Sequence, residues 1–96
     1  MPSAQDQITD LEALVRQVEA TDEMPQKDAQ HLDHMLRDLS DLVTEGDRAE
    51  ALDKVAELQK KNDGLLAAGK ISPAGHAALG DRLDRVTSTI SGMPPG

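Results

Sequence analysis

Apolar residues recur along this chain at intervals of three and four, the spacing of one face of an α-helix. Ile8, Leu11, Val15 and Val18 form the first stripe, widened by Leu14, and predict a helix from about Gln5 to Ala20. Ala29, Leu32, Leu36, Leu39 and Val43 form the second, over Gln26 to Thr44. Met35 and Leu42 flank it, which makes this the widest apolar face in the chain. Leu52, Val55, Leu58, Asn62 and Leu65 form the third, over Arg48 to Ala67, with Ala51 and Leu66 beside it. His76, Leu79, Leu83, Val86 and Ile90 form the fourth, over Pro73 to Ser91.

The breaks between stripes carry helix-ending and helix-starting chemistry. Thr21-Asp22-Glu23-Met24-Pro25 is the first; proline is excluded from helix interiors but suits a first turn. Gly46 tolerates positive φ and ends the second helix. Asp47 follows as a cap, and Glu50 three residues on completes the pattern of a capping box. Gly69 is the next stop, and Ser72-Pro73 is a cap followed by a first-turn proline. Gly92 closes the last helix, leaving residues 92–96 as a tail or linker; residues 1–5 are expected to fray. Asn62 sits where the stripe calls for an aliphatic side chain. It either fixes helix register at some cost in stability or marks fraying near Asp63-Gly64.

A shift of 47 residues overlays the two halves: Ile8 on Val55, Leu11 on Leu58, Val18 on Leu65, Met24 on Ile71, Leu32 on Leu79, Leu36 on Leu83, Leu39 on Val86 and Val43 on Ile90. One helical hairpin cannot bury its apolar face alone, whereas two can bury theirs against each other. The prediction is an all-α four-helix bundle over residues 6–91, built from hairpins 6–45 and 47–91 and running up-down-up-down. An open pair of hairpins is the alternative. In the bundle both termini share one end with the turn at Glu45–Asp47, an arrangement easily appended to a longer chain.

Composition changes this picture in three ways. The 96 residues contain no Phe, Tyr or Trp, so the core is aliphatic and neither sugars nor bases find a stacking platform. There is no cysteine, which removes disulfides, thiolate metal ligands and a thiol nucleophile. The net charge is −8, all of it in the front half: residues 1–48 carry twelve Asp/Glu against four Lys/Arg, and residues 49–96 six of each. Nucleic acid and anionic membrane surfaces are disfavoured as partners, because both require clustered cations. No apolar run is long enough to insert in a membrane. The acidic front half serves solubility or docks a basic partner.

Candidate chemistry is sparse. His31 and His34 lie three apart on one helix with Asp38 a turn later, short of the three or four convergent ligands zinc requires. His76 stands near the start of the fourth helix, either a pH-sensitive contact or a partly buried ring with its edge in solvent. Thr21-Asp22-Glu23 with Asp28 gathers carboxylates without the ligand spacing of a calcium loop. Ser3, Ser40, Ser72, Ser88 and Ser91 sit in no nucleophile elbow, and no Gly-rich phosphate loop is present. No cofactor, metal or catalytic residue is predicted. Met35 and Leu42, with Leu14 and Leu66, either broaden the core or form a partner or self-association seam. On the second reading Met35, Leu42, His31, His34 and Asp38 are the interaction surface.

The order helix, Gly46-Asp47, helix, Gly69-Lys70-Ile71-Ser72-Pro73, helix resembles small helical modules at the ends of longer bacterial proteins. One set lies in the C-terminal, extracytoplasmic regions of actinobacterial serine/threonine protein kinases. The other is the FIMAH-type module of secreted bacterial carbohydrate-active enzymes. The resemblance covers roughly residues 8–90. It implies a non-catalytic accessory domain that mediates protein association or sensing outside the cytoplasm, and supplies no binding residues. The alternative is a free-standing small helical secretion-system or regulatory protein. Its length is similar to the helical-hairpin substrates of actinobacterial secretion systems, whose two helices meet at a Trp-x-Gly turn.

Overall fold

Local chemistry fixes where each helix starts and stops in the computed structural model, which describes residues 3–21 and 24–94. Four helices follow one another: α1 (Ala4–Thr21), α2 (Gln26–Thr44), α3 (Arg48–Ala67) and α4 (Pro73–Ser91), with no strand among the described residues. Gly46 and Gly69 take φ of 74° and 71°, the left-handed conformation that ends α2 and α3. At both, the next two amides turn back onto the helix. Gly46 N–H donates to Val43 O and Asp47 N–H to Leu42 O; Gly69 N–H donates to Leu66 O and Lys70 N–H to Leu65 O. These paired bonds satisfy carbonyls that would otherwise be orphaned at the helix ends.

The capping box at α3 is half formed. Asp47 accepts from Glu50 N–H at 3.2 Å, but Asp47's own amide is already used by the α2 stop, so Glu50 has no donor to return to. Ser72 caps α4 by accepting from Gly75 N–H, with Pro73 at the first helical position. The start of α1 differs from expectation. Ser3 Oγ accepts from Asp6 N–H, so the helix is capped at Ser3 and includes Ala4 and Gln5. The turn residues Asp22 and Glu23, with Met1, Pro2, Pro95 and Gly96, lie outside the described residues.

The helices form a ring in which α1 touches α2 and α4, and α3 touches α2 and α4. Short connections force each helix antiparallel to the next, and side-chain bonds confirm it. Gln5 at the start of α1 reaches Ser40 and Thr44 at the end of α2. Lys61 late in α3 reaches Asp28 early in α2, and Asn62 reaches His76 at the start of α4. The result is the up-down-up-down four-helix bundle, 38 × 23 × 18 Å.

Its buried side chains are aliphatic or methionine, with Asn62 the polar exception among the described residues. Ile8, Leu11, Leu36, Leu39, Leu58, Val86 and Ile90 are essentially sealed from solvent, and Met24 and Ile71 plug the turn end. Two stripes depart from expectation at their first position alone. In α3 the sealed position is Ala51, while Leu52 is half-buried; in α4 it is Gly75, while His76 is half-buried. Val43 is half-buried at the edge of the core. Asn62 is 1% exposed inside a continuous α3, so the region does not fray: its Nδ2 donates to His76 O at 3.0 Å.

Candidate functional site

The seam between α2 and α3 carries two grooves. The first, about 480 Å³, lies toward the end shared by the α3–α4 turn. Met35 and Leu65 supply apolar surface, and Gly64 adds no side chain; nothing stands within 4 Å of where its Cβ would be. The rim is cationic, with Lys60, Lys61 and Lys70 against Asp28 and Glu57, and His31 alongside. Asp28 anchors two of the lysines, accepting from Lys61 Nζ at 2.9 Å and lying 3.6 Å from Lys70 Nζ. The Lys61 hydrogen bond is the main reason the Asp28 carboxyl is held below its ordinary value. Partial burial opposes that effect, and the charges of Lys61 and Lys70 reinforce it.

The second groove, about 310 Å³, lies toward the other end of the same seam. Its apolar residue is Leu42, half-buried and packed against the core edge. Its rim is acidic: Asp38, Asp41, Glu45 and Glu50 against a single Lys54. Three of these carboxylates sit in the last turns and cap of α2, which has no basic residue in its last turn. Negative charge at a helix C-terminus opposes the dipole, at about 0.3–1 kcal/mol per charge when exposed. The acidic end of α2 is therefore not accounted for by the stability of its own helix.

The seam divides the residues expected to form one surface. His31 and Met35 line the cationic groove, whereas Asp38 and Leu42 line the acidic one. Met35 is 8% exposed, a core residue whose edge faces the groove. His34 is exposed, with Nε2 3.8 Å from Asp38 Oδ2. Only His31 of the two histidines lines the cationic groove. Among the described residues no group of three or more His, Cys, Asp or Glu is placed to hold a metal ion. His76, its side chain 26% exposed, pairs through Nε2 with Asp63 Oδ1 at 2.8 Å. The acidic cluster proposed around Asp22 and Glu23 lies outside the described residues, and Asp28 belongs to the lysine groove instead.

Sequence reasoning missed Lys60, Lys61, Lys70 and Glu50 as members of the seam. The available signal was the Lys60-Lys61 pair, with Lys70 nine residues on, in an otherwise acidic chain. Of the serines, Ser3 and Ser72 are caps, and Ser40 Oγ donates to Gln5 Oε1 at 2.7 Å to tie α2 to α1.

Compared with known protein families, with curated proteins and with solved structures, the chain matches none.

Proposed function

We propose that this chain is a non-catalytic helical module that associates with protein through its α2–α3 face, as an accessory domain of a larger extracytoplasmic bacterial protein. The observation that supports the association reading is the pairing of an apolar patch with a charged rim at both ends of one seam. Apolar contact provides affinity and rim charge selects the partner and its orientation. The carboxylates at the wrong end of α2 fit the same reading, because they weaken their own helix yet border a groove. The setting in a larger chain rests on the resemblance to kinase-borne and enzyme-borne modules.

Photo-crosslinking in the native host tests the reading. A photoreactive amino acid replaces Leu42 on the α2–α3 seam, and in a separate variant Thr87 on the α3–α4 side. Protein adducts from position 42 and none from position 87 are expected. Absence of any protein adduct from position 42 removes the association reading.

A further inference from the structure

The two grooves complement each other, which identifies an occupant. We infer that the α2–α3 face binds a second copy of this chain, antiparallel, so that the acidic end of each copy lies on the lysine end of the other. This rests on the association reading above and deepens it by naming the partner.

Charge is the first argument. The lysine groove carries three lysines against two carboxylates, and the acidic groove four carboxylates against one lysine. Lys60, Asp41 and Glu45 have no ion-pair partner among the described residues. Each is left available for a partner at the face. The second argument is symmetry. A two-fold axis through the middle of the seam exchanges its ends, so one rotation brings both unlike pairs of grooves together. A parallel copy would set like charge on like.

Shape agrees with charge. Met35 and Leu42 are seven residues apart on α2, two turns or ~10 Å. An axis between them, nearer Met35 at the level of Leu36 and Arg37, places Leu42 of each copy over the His31 turn of the other's lysine groove. Asp41 then faces Lys60, and Glu45 faces the Lys70 side. A face two helices wide and ~28 Å long buries about 550 Å² per copy, at the low end for specific association. The −8 charge on each chain adds long-range repulsion. Both favour weak association, visible at high protein concentration.

The experiment is sedimentation equilibrium of the purified chain up to about 1 mM, with three variants. The unmodified chain is expected to dimerise. Lys60→Glu and Asp41→Lys each weaken the dimer at least about tenfold, and the double variant returns to within about threefold of the unmodified chain. Neither site has an internal ion pair, so helicity and urea midpoint are expected to hold, which separates lost association from lost folding. A strict monomer at about 1 mM overturns the inference, as does a dimer indifferent to both charge reversals or a double variant without recovery. Those results leave the association reading intact wherever position 42 crosslinks to a different protein in the host; no adduct at all removes both.

Discussion

The two hairpins share one plan and hold themselves differently. Val15 and Asn62 are equivalent under the 47-residue shift, and both are 1% exposed. In the first hairpin that position is purely apolar. In the second it is an amide that donates to His76 O, while its own Oδ1 is buried with no partner among the described residues. The neighbours changed with it. Where the first hairpin has Ala29 and Asp33, the second has His76 and Gly80, and a Cβ on Gly80 would lie 3.7 Å from Asn62 Nδ2. A repeated fold can therefore exchange aliphatic packing for a register-fixing hydrogen bond at one position.

The comparison is broken most forcibly in the core. Leu36→Ala and Leu83→Ala remove equivalent, nearly sealed side chains and are each expected to cost about 3 kcal/mol in urea unfolding. If the halves pack alike, the two losses agree within about 1 kcal/mol. Val43→Ala is expected to cost about 1 kcal/mol and Ile90→Ala about 3 kcal/mol, because Val43 is half-buried and Ile90 is sealed. Equal losses at positions 43 and 90 would contradict the burial difference.

Reciprocal exchange at the amide position comes next. Val15→Asn puts an amide into a sealed apolar site and is expected to destabilise by about 2–3 kcal/mol. Asn62→Val removes a half-satisfied amide and is expected to stabilise by about 1 kcal/mol, at the expense of α3–α4 register specificity. Urea midpoints of the two variants moving the same way would show that the second hairpin needs its hydrogen bond for stability as well as register.

Much of the fold was legible because its punctuation is local. Gly46, Asp47, Gly69 and Ser72-Pro73 each act within a few residues, and the bounds of α2, α3 and α4 follow from them. Ser3 was equally local, but its Ser-x-x-Asp pattern lies among residues read as frayed. The full burial of Ala51, read as flanking its stripe, and of Gly75 was less legible for a different reason. Leu52 outranks Ala51 in hydropathy and His76 stands three residues before Leu79, whereas the buried positions are one residue earlier, at Ala51 and Gly75. The candidate site was legible by halves: the apolar residues on α2 follow from periodicity. The lysines opposite them depend on which α3 turn faces which α2 turn, and the antiparallel pairing that brings Lys61 to Asp28 is a tertiary fact.

Glycine sharpens the comparison with smaller effects. Gly64 and Gly80 are helical; an added Cβ meets nothing within 4 Å at Gly64 and only ordinary contact at Gly80. Gly64→Ala and Gly80→Ala are each expected to stabilise by about 0.5–1 kcal/mol through helix propensity. Gly46→Ala and Gly69→Ala are expected to destabilise by about 1 kcal/mol, because both backbones have positive φ. Thermal unfolding of the four variants distinguishes the glycines that end helices from those that merely weaken them.

Asp28 gives the smallest expected effect and bears on how the hairpins are joined. It sits on α2, and its two lysines come from the second hairpin, so these ion pairs cross between the halves. The equivalent position in the second hairpin is Gly75, which has no side chain to pair. The Asp28 carboxyl is held below its ordinary value of 3.8, first by the Lys61 hydrogen bond and then by the nearby positive charges, against partial burial. The folded state then binds fewer protons than the unfolded state near that value, so stability falls as pH falls. The contribution is complete above about pH 5, declines through 3.8 and is gone below the lowered folded value. At neutral pH Asp28→Asn is expected to cost about 0.5 kcal/mol, limited by solvent screening of the lysines. The gap between the two urea midpoints should hold steady from pH 7 to about pH 5 and narrow by about pH 3. A gap that widens on acidification would mean that the carboxylate strains the seam and that apolar packing alone holds the hairpins together.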